Sequence, residues 1–356
     1  MADIWNKYAD TAARTHGHPG RETQPQSVTI DMHCHVAVPR VAEIVAPHLK
    51  QSADPLVKAS IPETQALMAK QAADIRTRIG TTDERFGVMD AMGIDSQLIS
   101  PAPPQIYYTL PLEVGVEAAR ALNDGIADYV GRHKDRLMAL GGVPMQDGEE
   151  AAKELERVMT RLGFKGVEIL TNVKGKELSD PAFEPFWKKA EELDALVFIH
   201  PTGFTQPQRF ARFYFNNVIG NPLDTTIALH YLIFDGVFER HPKLRVLAAH
   251  GGGYLGAYSG RIDHAWGARS DAHGDLPQPP TSYLRRNVYF DTVVFTPHQL
   301  EALVKTYGAD RIVLGTDYPF DMLEHDPIGH INSVASFDEA TRAKLAGGNA
   351  VKLLGL

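Results

Sequence analysis

The chain has 356 residues and a formal net charge of −8, with 44% hydrophobic and 22% charged residues, which is typical of a globular protein. The negative charge argues against a nucleic-acid partner, and no stretch reaches the ~20 apolar residues of a membrane span, so we expect neither nucleic-acid nor membrane binding. The polar N-terminus predicts a cytoplasmic protein, and one cysteine, Cys34, excludes an internal disulfide framework.

The chain opens with a polar segment of little periodicity, residues 1–26, which we interpret as an irregular N-terminal arm. Its histidines, His16 and His18, fit a solvated turn better than a metal site. The rest of the chain, residues 27–356, lacks a linker-like tract and is predicted to form a single domain. It alternates helical patterns with eight short apolar runs of strand length, at 28–35, 95–103, 137–144, 163–171, 196–201, 244–253, 287–295 and 311–319.

Eight strands separated by helices predict an α/β fold, specifically a (β/α)₈ TIM barrel. The nearly continuous apolar runs fit parallel strands that are buried on both faces. Residues 36–94 are too long for one crossover helix, so we predict an insertion after strand 1. A doubly wound sheet is the alternative fold, but it favours a glycine-rich phosphate turn after strand 1, where this chain has His-Cys-His.

The predicted strands end in residues that can bind a metal ion. Strand 1 ends with His33 and His35, strand 5 with His200, strand 6 with His250 and strand 8 with Asp317. In a TIM barrel the carboxyl ends of the strands build the active site, and imidazole and carboxylate ligands suit Zn²⁺ and similar ions. A hydrogen-bonded core histidine is the ordinary explanation for any one of them, but the set predicts a metal site.

Other residues near these strand ends are weaker candidates. Cys34 alternates with the two histidines and is expected to face away from the metal. In some barrels with two metal ions, a carboxylated lysine at the end of strand 4 binds the metals. Lys165 opens strand 4 instead of ending it, which favours one metal ion over two. Glu168 lies in the middle of the same strand and has no assigned role, and His264 follows the His250 loop without a clear reason to reach the site.

Four segments together resemble the amidohydrolase superfamily, in the branch typified by 2-amino-3-carboxymuconate-6-semialdehyde decarboxylase. They are DMHCH, FIHP, AHGGGYLGAYSGRIDHAW and LGTDYPF, and the similarity extends from about residue 28 to the C-terminus. The resemblance implies a metal-dependent hydrolase type of barrel. It also implies a nonoxidative decarboxylase, a carboxy-lyase, acting on an aromatic or muconic-semialdehyde-type carboxylic acid.

The resemblance also implies roles for individual residues. One metal ion, Zn²⁺ or another divalent ion such as Mn²⁺, is held by His33, His35, His200 and Asp317. His250 is the acid/base beside the metal, with Asp317 as a second catalytic group. Arg261 and Arg269 match arginines that contact the substrate carboxylate, one of them across the interface of a homodimer, and Phe320 matches an aromatic residue of the pocket.

Two departures from the family pattern affect the substrate assignment. An arginine that the family supplies between strands 1 and 2 has no clear counterpart, because Arg76 and Arg78 are out of register, and the loop after His200 differs in length. Hydrolysis of an amide, ester or lactone, or hydration of a conjugated acid, is therefore an alternative. A barrel that only binds ligands is a third possibility, but it predicts missing metal residues, and none is missing.

Overall fold

The computed structural model describes residues 22–49, 54–204 and 206–356, so most of the predicted arm, including His16 and His18, lies outside the described residues. Each predicted strand region contains a strand. The strands are β1 Ile30–Val36, β2 Ser96–Pro101, β3 Leu137–Ala139, β4 Gly141–Gly142, β5 Gly166–Leu170, β6 Asn172–Val173, β7 Lys176–Glu177, β8 Leu196–His200, β9 Arg245–Ala248, β10 Val288–Asp291 and β11 Ile312–Val313.

All strands except the small β6–β7 hairpin are parallel and belong to one barrel. One set of neighbours is β1, β2 and β3, and the other runs in the order β11, β10, β9, β8, β5 and β4. The two sets meet at Leu140, whose N–H donates to Ile99 O at 2.9 Å, so that β3 and β4 form a single barrel strand. These connections give eight barrel strands in chain order, as predicted.

The barrel closes between β1 and the extended segment that follows β11. The N–H of Met32 donates to Leu314 O at 2.8 Å, and the N–H of His35 donates to Tyr318 O at 2.7 Å. A parallel bridge between Cys34 and Tyr318 continues the pairing. Asp317 therefore lies beyond the two-residue strand β11, in a segment that still runs beside β1, and this differs from the predicted strand 8, which extended through residue 319.

Helices surround the barrel and carry most of its outer packing. The α-helices of the described residues are α1 Pro39–Val45, α2 Pro55–Ala59, α3 Pro62–Asp74, α4 Arg76–Ile79, α5 Glu84–Met92, α6 Leu112–Arg132, α7 Gly148–Thr160, α8 Glu184–Glu192, α9 Asn221–Phe234, α10 Val237–Arg240, α11 Gly253–Tyr258, α12 Gly260–Ala268, α13 Ser270–His273, α14 Pro280–Asn287, α15 Pro297–Tyr307, α16 Pro327–Asn332, α17 Glu339–Ala343 and α18 Asn349–Leu354. Short 3₁₀ turns occupy Ala46–His48, Pro103–Gln105, Pro181–Phe183, His250–Gly252 and Ala309–Arg311, and π-turns occupy Asn216–Gly220 and Lys344–Gly348.

The predicted insertion after strand 1 is confirmed, since the described residues between β1 and β2 contain five α-helices, α1 to α5. No helix in the described ranges combines the length and the apolar character that a membrane crossing requires. At the opposite end of the chain, Leu353 and Leu354 of α18 pack into the inner core of the barrel with residues such as Leu98 and Phe198. This packing closes the amino-terminal end of the barrel and leaves the carboxyl-terminal end for polar residues.

Gly166, at the start of β5, is required by a close approach of two strands. Its φ is +152°, and a Cβ at this position would lie 1.9 Å from the carbonyl oxygen of Leu196.

We expect Gly166→Ala to destabilise the protein by about 3 kcal/mol or more, measured by denaturant unfolding, because the backbone of β8 has to move. Gly87→Ala in α5 is the control, since no heavy atom lies within 4 Å of its Cβ position, and it is expected to stabilise by up to ~1 kcal/mol. Equal effects of the two substitutions would contradict this account.

Candidate metal centre and active site

The five residues predicted from the strand ends lie together at the carboxyl-terminal end of the barrel. His33 and His35 belong to β1 and His200 ends β8, whereas His250 follows β9 by two residues and Asp317 follows β11. The rings of His33 and His200 are 5.1 Å apart, and those of His200 and His250 are 5.0 Å apart. All except His250 are buried, and the side chain of His250 is 17% exposed.

A β-bulge in β1 turns both histidines of the HxH motif toward the inside of the barrel. The pairing of β1 with β2 shifts register between Asp31 and Cys34. As a result, Met32 packs in the inner core of the barrel while the ring of His33, the next residue, also faces inward and lies 4.9 Å from that of Phe198. The rings of His33 and His35 are 5.1 Å apart. Cys34 packs in the outer core, facing away from them as predicted.

The hydrogen bonds of the three buried histidines fix which ring nitrogen is free. Nδ1 of His33 lies 2.6 Å from Asp291 Oδ2, Nδ1 of His35 lies 3.1 Å from Pro101 O, and Nδ1 of His200 lies 2.7 Å from Pro201 O. Carbonyl and carboxylate oxygens accept hydrogen bonds, so each Nδ1 carries a proton and each Nε2 is left as the nitrogen that can bind a metal ion. This is the usual way in which a protein orients metal-binding histidines.

The three Nε2 atoms and one oxygen of Asp317 form a set of buried polar atoms without hydrogen-bond partners among the described residues. Nε2 of His33 and Nε2 of His35 each lie 3.3 Å from Oδ1 of Asp317. Buried polar atoms rarely stay unpaired, and four of them turned toward one place fit a divalent cation. The residues present therefore fit a metal ion with three imidazole ligands and one carboxylate ligand.

His250 approaches the same cluster from the other side of the carboxylate. Its Nε2 lies 3.5 Å from Oδ2 of Asp317, and its Nδ1 is buried without a partner among the described residues. The ligand atoms of His33, His200, His250 and Asp317 all lie within 4.8 Å of one another, so distance alone also permits His250 as a ligand. His33 and His35 face the other oxygen of the same carboxylate, Oδ1.

The loop that carries His250 depends on unusual backbone conformations. His250 has a φ of +55° and Asp317 a φ of +62°, which side-chain-bearing residues rarely adopt and which often mark functional positions. Gly253 allows the turn after His250, since its φ is +62° and a Cβ there would lie 2.2 Å from Pro222 O at the start of α9. The turn lets α9 and α11 pack closely and directs His250 toward the cluster.

The electrostatics of the cluster also favour a cation. Burial raises the pKa of Asp317, but the charge of His33 and the close contacts with the neighbouring histidines hold that pKa well below its usual value. Burial lowers the pKa of His33, yet the carboxylates of Asp317 and Asp291 raise it to about 10. The pKa of His200 is well below its usual value because of burial and the adjacent imidazoles, so its ring is neutral. A bound metal ion would supply the positive charge that Asp317 and Asp291 otherwise obtain from a proton on His33.

Asp291 is a functional residue that the sequence interpretation missed. It ends β10, is fully buried, and accepts hydrogen bonds from Nδ1 of His33 and from the backbone N–H groups of His250 and Gly251, the last two at 2.8 Å. The predicted strand 7 extended to residue 295 and placed Asp291 in its middle, whereas β10 ends at Asp291, so the predicted strand end did not identify this residue. Glu168, left without a role, lies 3.5 Å from Nδ1 of His35.

Two adjoining cavities open beside the cluster. The larger one, of about 290 Å³, is walled mainly by apolar residues such as Val294, Phe295 and Leu303, with His250 and Asp317 at one side. The smaller one, of about 70 Å³, also contacts Asp317 and contains Phe320, whose ring lies 5.2 Å from that of His35. Among the described residues that line these two cavities there is no arginine or lysine.

The predicted substrate arginines lie outside these cavities within one chain. Arg261 is exposed on α12, and Arg269 is exposed and paired with Asp271 at 2.6 Å. His264 is also exposed on α12, and Arg78 lies 3.9 Å from Glu84. Lys165 is far from the cluster in the fold, because its Nζ donates to Leu354 O at the closed end of the barrel. Of the predicted substrate residues, the chain itself brings only Phe320 to the site.

The end of β2 and the loop after it, residues 100–108, contribute to the cavity walls. Pro103 and Pro104 line the smaller cavity beside the cluster. With Tyr107 and Tyr108 they also line a separate cavity of about 350 Å³ farther from the histidines.

Comparison with known proteins places this site in a family. The chain is 34% identical over 338 residues to 2-amino-3-carboxymuconate-6-semialdehyde decarboxylase of Dictyostelium discoideum, covering 93% of this chain and 92% of that protein. The crystal structure of 5-carboxyvanillate decarboxylase from Sphingomonas paucimobilis superposes with a TM-score of 0.81 at 26% identity, covering 93% of this chain and 100% of that chain.

A second solved structure contains a metal ion. The dihydroxybenzoic acid decarboxylase of Polaromonas sp., solved with manganese and the inhibitor 2-nitroresorcinol, superposes with a TM-score of 0.79 at 25% identity, covering 93% of this chain and 98% of that chain. The amidohydrolase family model matches residues 30–356, which include every residue of the cluster. The chain therefore belongs to the amidohydrolase family, with a site built for a divalent metal ion.

Proposed function

We propose that this protein is a metal-dependent nonoxidative decarboxylase, a carboxy-lyase, of an aromatic or muconic-semialdehyde-type carboxylic acid. The observation that carries the proposal is the set of unpaired Nε2 and Oδ1 atoms beside a mainly apolar cavity with His250 in its wall. The similarity to decarboxylases of aromatic and muconic acids supports the same reaction.

We assign the metal to His33, His35, His200 and Asp317 and propose Zn²⁺ as the ion, with Mn²⁺ or another divalent ion as the alternative. Three imidazoles and one carboxylate suit Zn²⁺, whereas the related Polaromonas structure contains manganese. When bound, such an ion acts as a Lewis acid that stabilises negative charge on a substrate oxygen.

The remaining chemistry belongs to residues of this chain. Loss of CO₂ leaves an electron pair on the carbon that carried the carboxylate, and that carbon must gain one proton. His250 is placed to deliver the proton, because its Nε2 is 3.5 Å from Oδ2 of Asp317 and it lines the larger cavity. Asp317 thus orients His250 through one oxygen while the other faces His33 and His35. The apolar walls hold a flat conjugated acid and exclude water.

The substrate carboxylate needs a positively charged partner that the cavity walls of one chain lack. We propose that the protein is a homodimer in which Arg261 of a second copy supplies this charge, with Arg269 as the second candidate. An arginine forms two parallel hydrogen bonds with a carboxylate, which suits this task. We further propose that residues 27–356 act as one domain, with the arm of residues 1–26 outside it.

Decarboxylation predicts release of one CO₂ for each substrate molecule consumed, without an oxidant, in a screen of hydroxybenzoates and semialdehyde acids. In D₂O the product should carry deuterium on the carbon that lost the carboxylate. Label from H₂¹⁸O in a new carboxylate would instead indicate hydrolysis of an amide, ester or lactone. Uptake of water by a conjugated acid without CO₂ release would indicate a hydratase.

The assignment of ligand and acid/base roles predicts different effects of single substitutions. His200→Ala and Asp317→Ala should lose the bound metal, measured by elemental analysis after dialysis. His250→Ala should keep it and lose activity by roughly 10²–10⁴-fold, the range for a general acid. His264→Ala, an exposed control on α12, should change neither property. Loss of the metal from His250→Ala would show that His250 is a ligand.

A shared active site predicts complementation between two inactive variants. Arg261→Ala and His250→Ala should each be nearly inactive with normal metal content. In a hybrid dimer, one site has both defects and the other has none, so an equal mixture that exchanges subunits should recover about a quarter of wild-type activity. No recovery from a mixture shown to contain hybrids would place Arg261 in its own chain's site or outside any site.

A further inference from the structure

Glu168 lies in the middle of β5, deep inside the barrel, and its side chain is fully buried. Neither carboxylate oxygen has a hydrogen-bond partner within normal distance among the described residues. A buried carboxylate without hydrogen bonds destabilises a fold, and proteins usually replace such a group by an apolar residue or pair it. Packing and stability do not explain a glutamate at this position, which indicates a functional role.

The group that Glu168 faces is the ring of His35. Oε2 of Glu168 lies 3.5 Å from Nδ1 of that ring. The same Nδ1 is also near Pro101 O and, at 3.2 Å, near Oγ of Ser100. The hydroxyl of Ser100 donates its proton to Cys34 O, so its oxygen is left to accept. Nδ1 of His35 thus faces three acceptors, of which only Glu168 has a negative charge.

We propose that Glu168 is a positioning residue for His35, which keeps the proton on Nδ1 and makes Nε2 a stronger ligand for the metal ion. This inference rests on the metal site proposed above. Carboxylates behind metal-binding histidines act in this way in other proteins, and their loss lowers metal affinity. Asp291, 2.6 Å from Nδ1 of His33, gives the other histidine of the HxH motif the same kind of support.

The two histidines of β1 are thereby distinguished from His200, whose Nδ1 contacts a backbone carbonyl. A carboxylate adds charge as well as an acceptor, and burial preserves the effect of that charge on the ring. The charge of Glu168 raises the pKa of His35 against the lowering effect of burial. Metal binding then offsets the free-energy cost of burying the Glu168 carboxylate.

The test is Glu168→Gln, which keeps the shape of the side chain and removes its charge. Metal-free wild-type and variant proteins are titrated with Zn²⁺ and with Co²⁺ against a competing chelator, and the visible spectrum of the Co²⁺ form is recorded. We expect the dissociation constant for metal to rise about 10–100-fold and the Co²⁺ spectrum to shift. We expect the melting temperature of the metal-free protein to stay the same or increase, since an unpaired buried charge has been removed.

The matched control is Glu154→Gln. Glu154 is also buried, but it accepts hydrogen bonds from Asn123 and Arg157 away from the site. Its substitution should lower the melting temperature and leave metal affinity and the Co²⁺ spectrum unchanged. A general effect of altering a buried glutamate would give the two variants the same behaviour.

The outcomes separate this inference from the metal site itself. If the wild-type protein does not bind either ion, the proposed metal site fails and this inference with it. If the wild type binds but Glu168→Gln has the same affinity and spectrum, Glu168 does not position His35. Should Glu168→Gln not fold, Glu168→Asp, which withdraws the charge from the ring, is measured in the same way. Failure of both to fold would show a purely structural role and overturn the inference.

Discussion

The buried carboxylate of Asp291 is the interaction on which the site depends. One of its oxygens contacts Nδ1 of His33 and the N–H of His250, and the other accepts from the N–H groups of Gly251 and Val293. A single group therefore sets the tautomer of a metal ligand and the start of the loop that carries the acid/base. Burial raises the pKa of Asp291, but the charge of His33 and the hydrogen bonds that the carboxylate accepts together hold that pKa below its usual value, so the carboxylate keeps the charge that both tasks need.

The two ends of the barrel differ in what they bury. At the closed end, Leu353 and Leu354 pack against the inner core, which gains stability from the hydrophobic effect. At the open end, five histidine and carboxylate side chains are crowded together, and several of their polar atoms lack partners in the described structure. The hydrophobic packing at the closed end stabilises the fold, and this stability compensates for the unpaired buried polar groups at the open end.

Much of this arrangement follows from the sequence, because the position of a residue at a strand end determines where it lies in a barrel. That rule located His33, His35, His200 and Asp317, but it missed Asp291, because the apolar run continues to residue 295 while β10 ends at Asp291. The strand-end rule also misses Glu168, because this residue lies within a strand and its contact with His35 depends on the inward orientation of its side chain. The β-bulge in β1 turns His33 and His35 inward although Met32 also faces inward, yet nothing in DMHCH marks it.

The extent of strand 8 and the place of the arginines show other limits of sequence reasoning. Residues after Val313 run beside β1 without the regular pairing of a strand, and the apolar pattern does not distinguish these two cases. Arg261 lies in a helix that one chain leaves exposed, so its predicted contact with substrate requires a second copy and is outside what a single chain can display.

The inward turn of His33 and His35 has a further consequence through the residue between them. Cys34 is fully buried on the other face of β1, and burial raises the pKa of its thiol far above the usual value. The donor atoms of the cluster are therefore nitrogen and oxygen, and the nearby sulfur stays protonated and shielded. Exposure to air should therefore leave the metal-binding atoms of this cluster unchanged, because none of them is a thiolate.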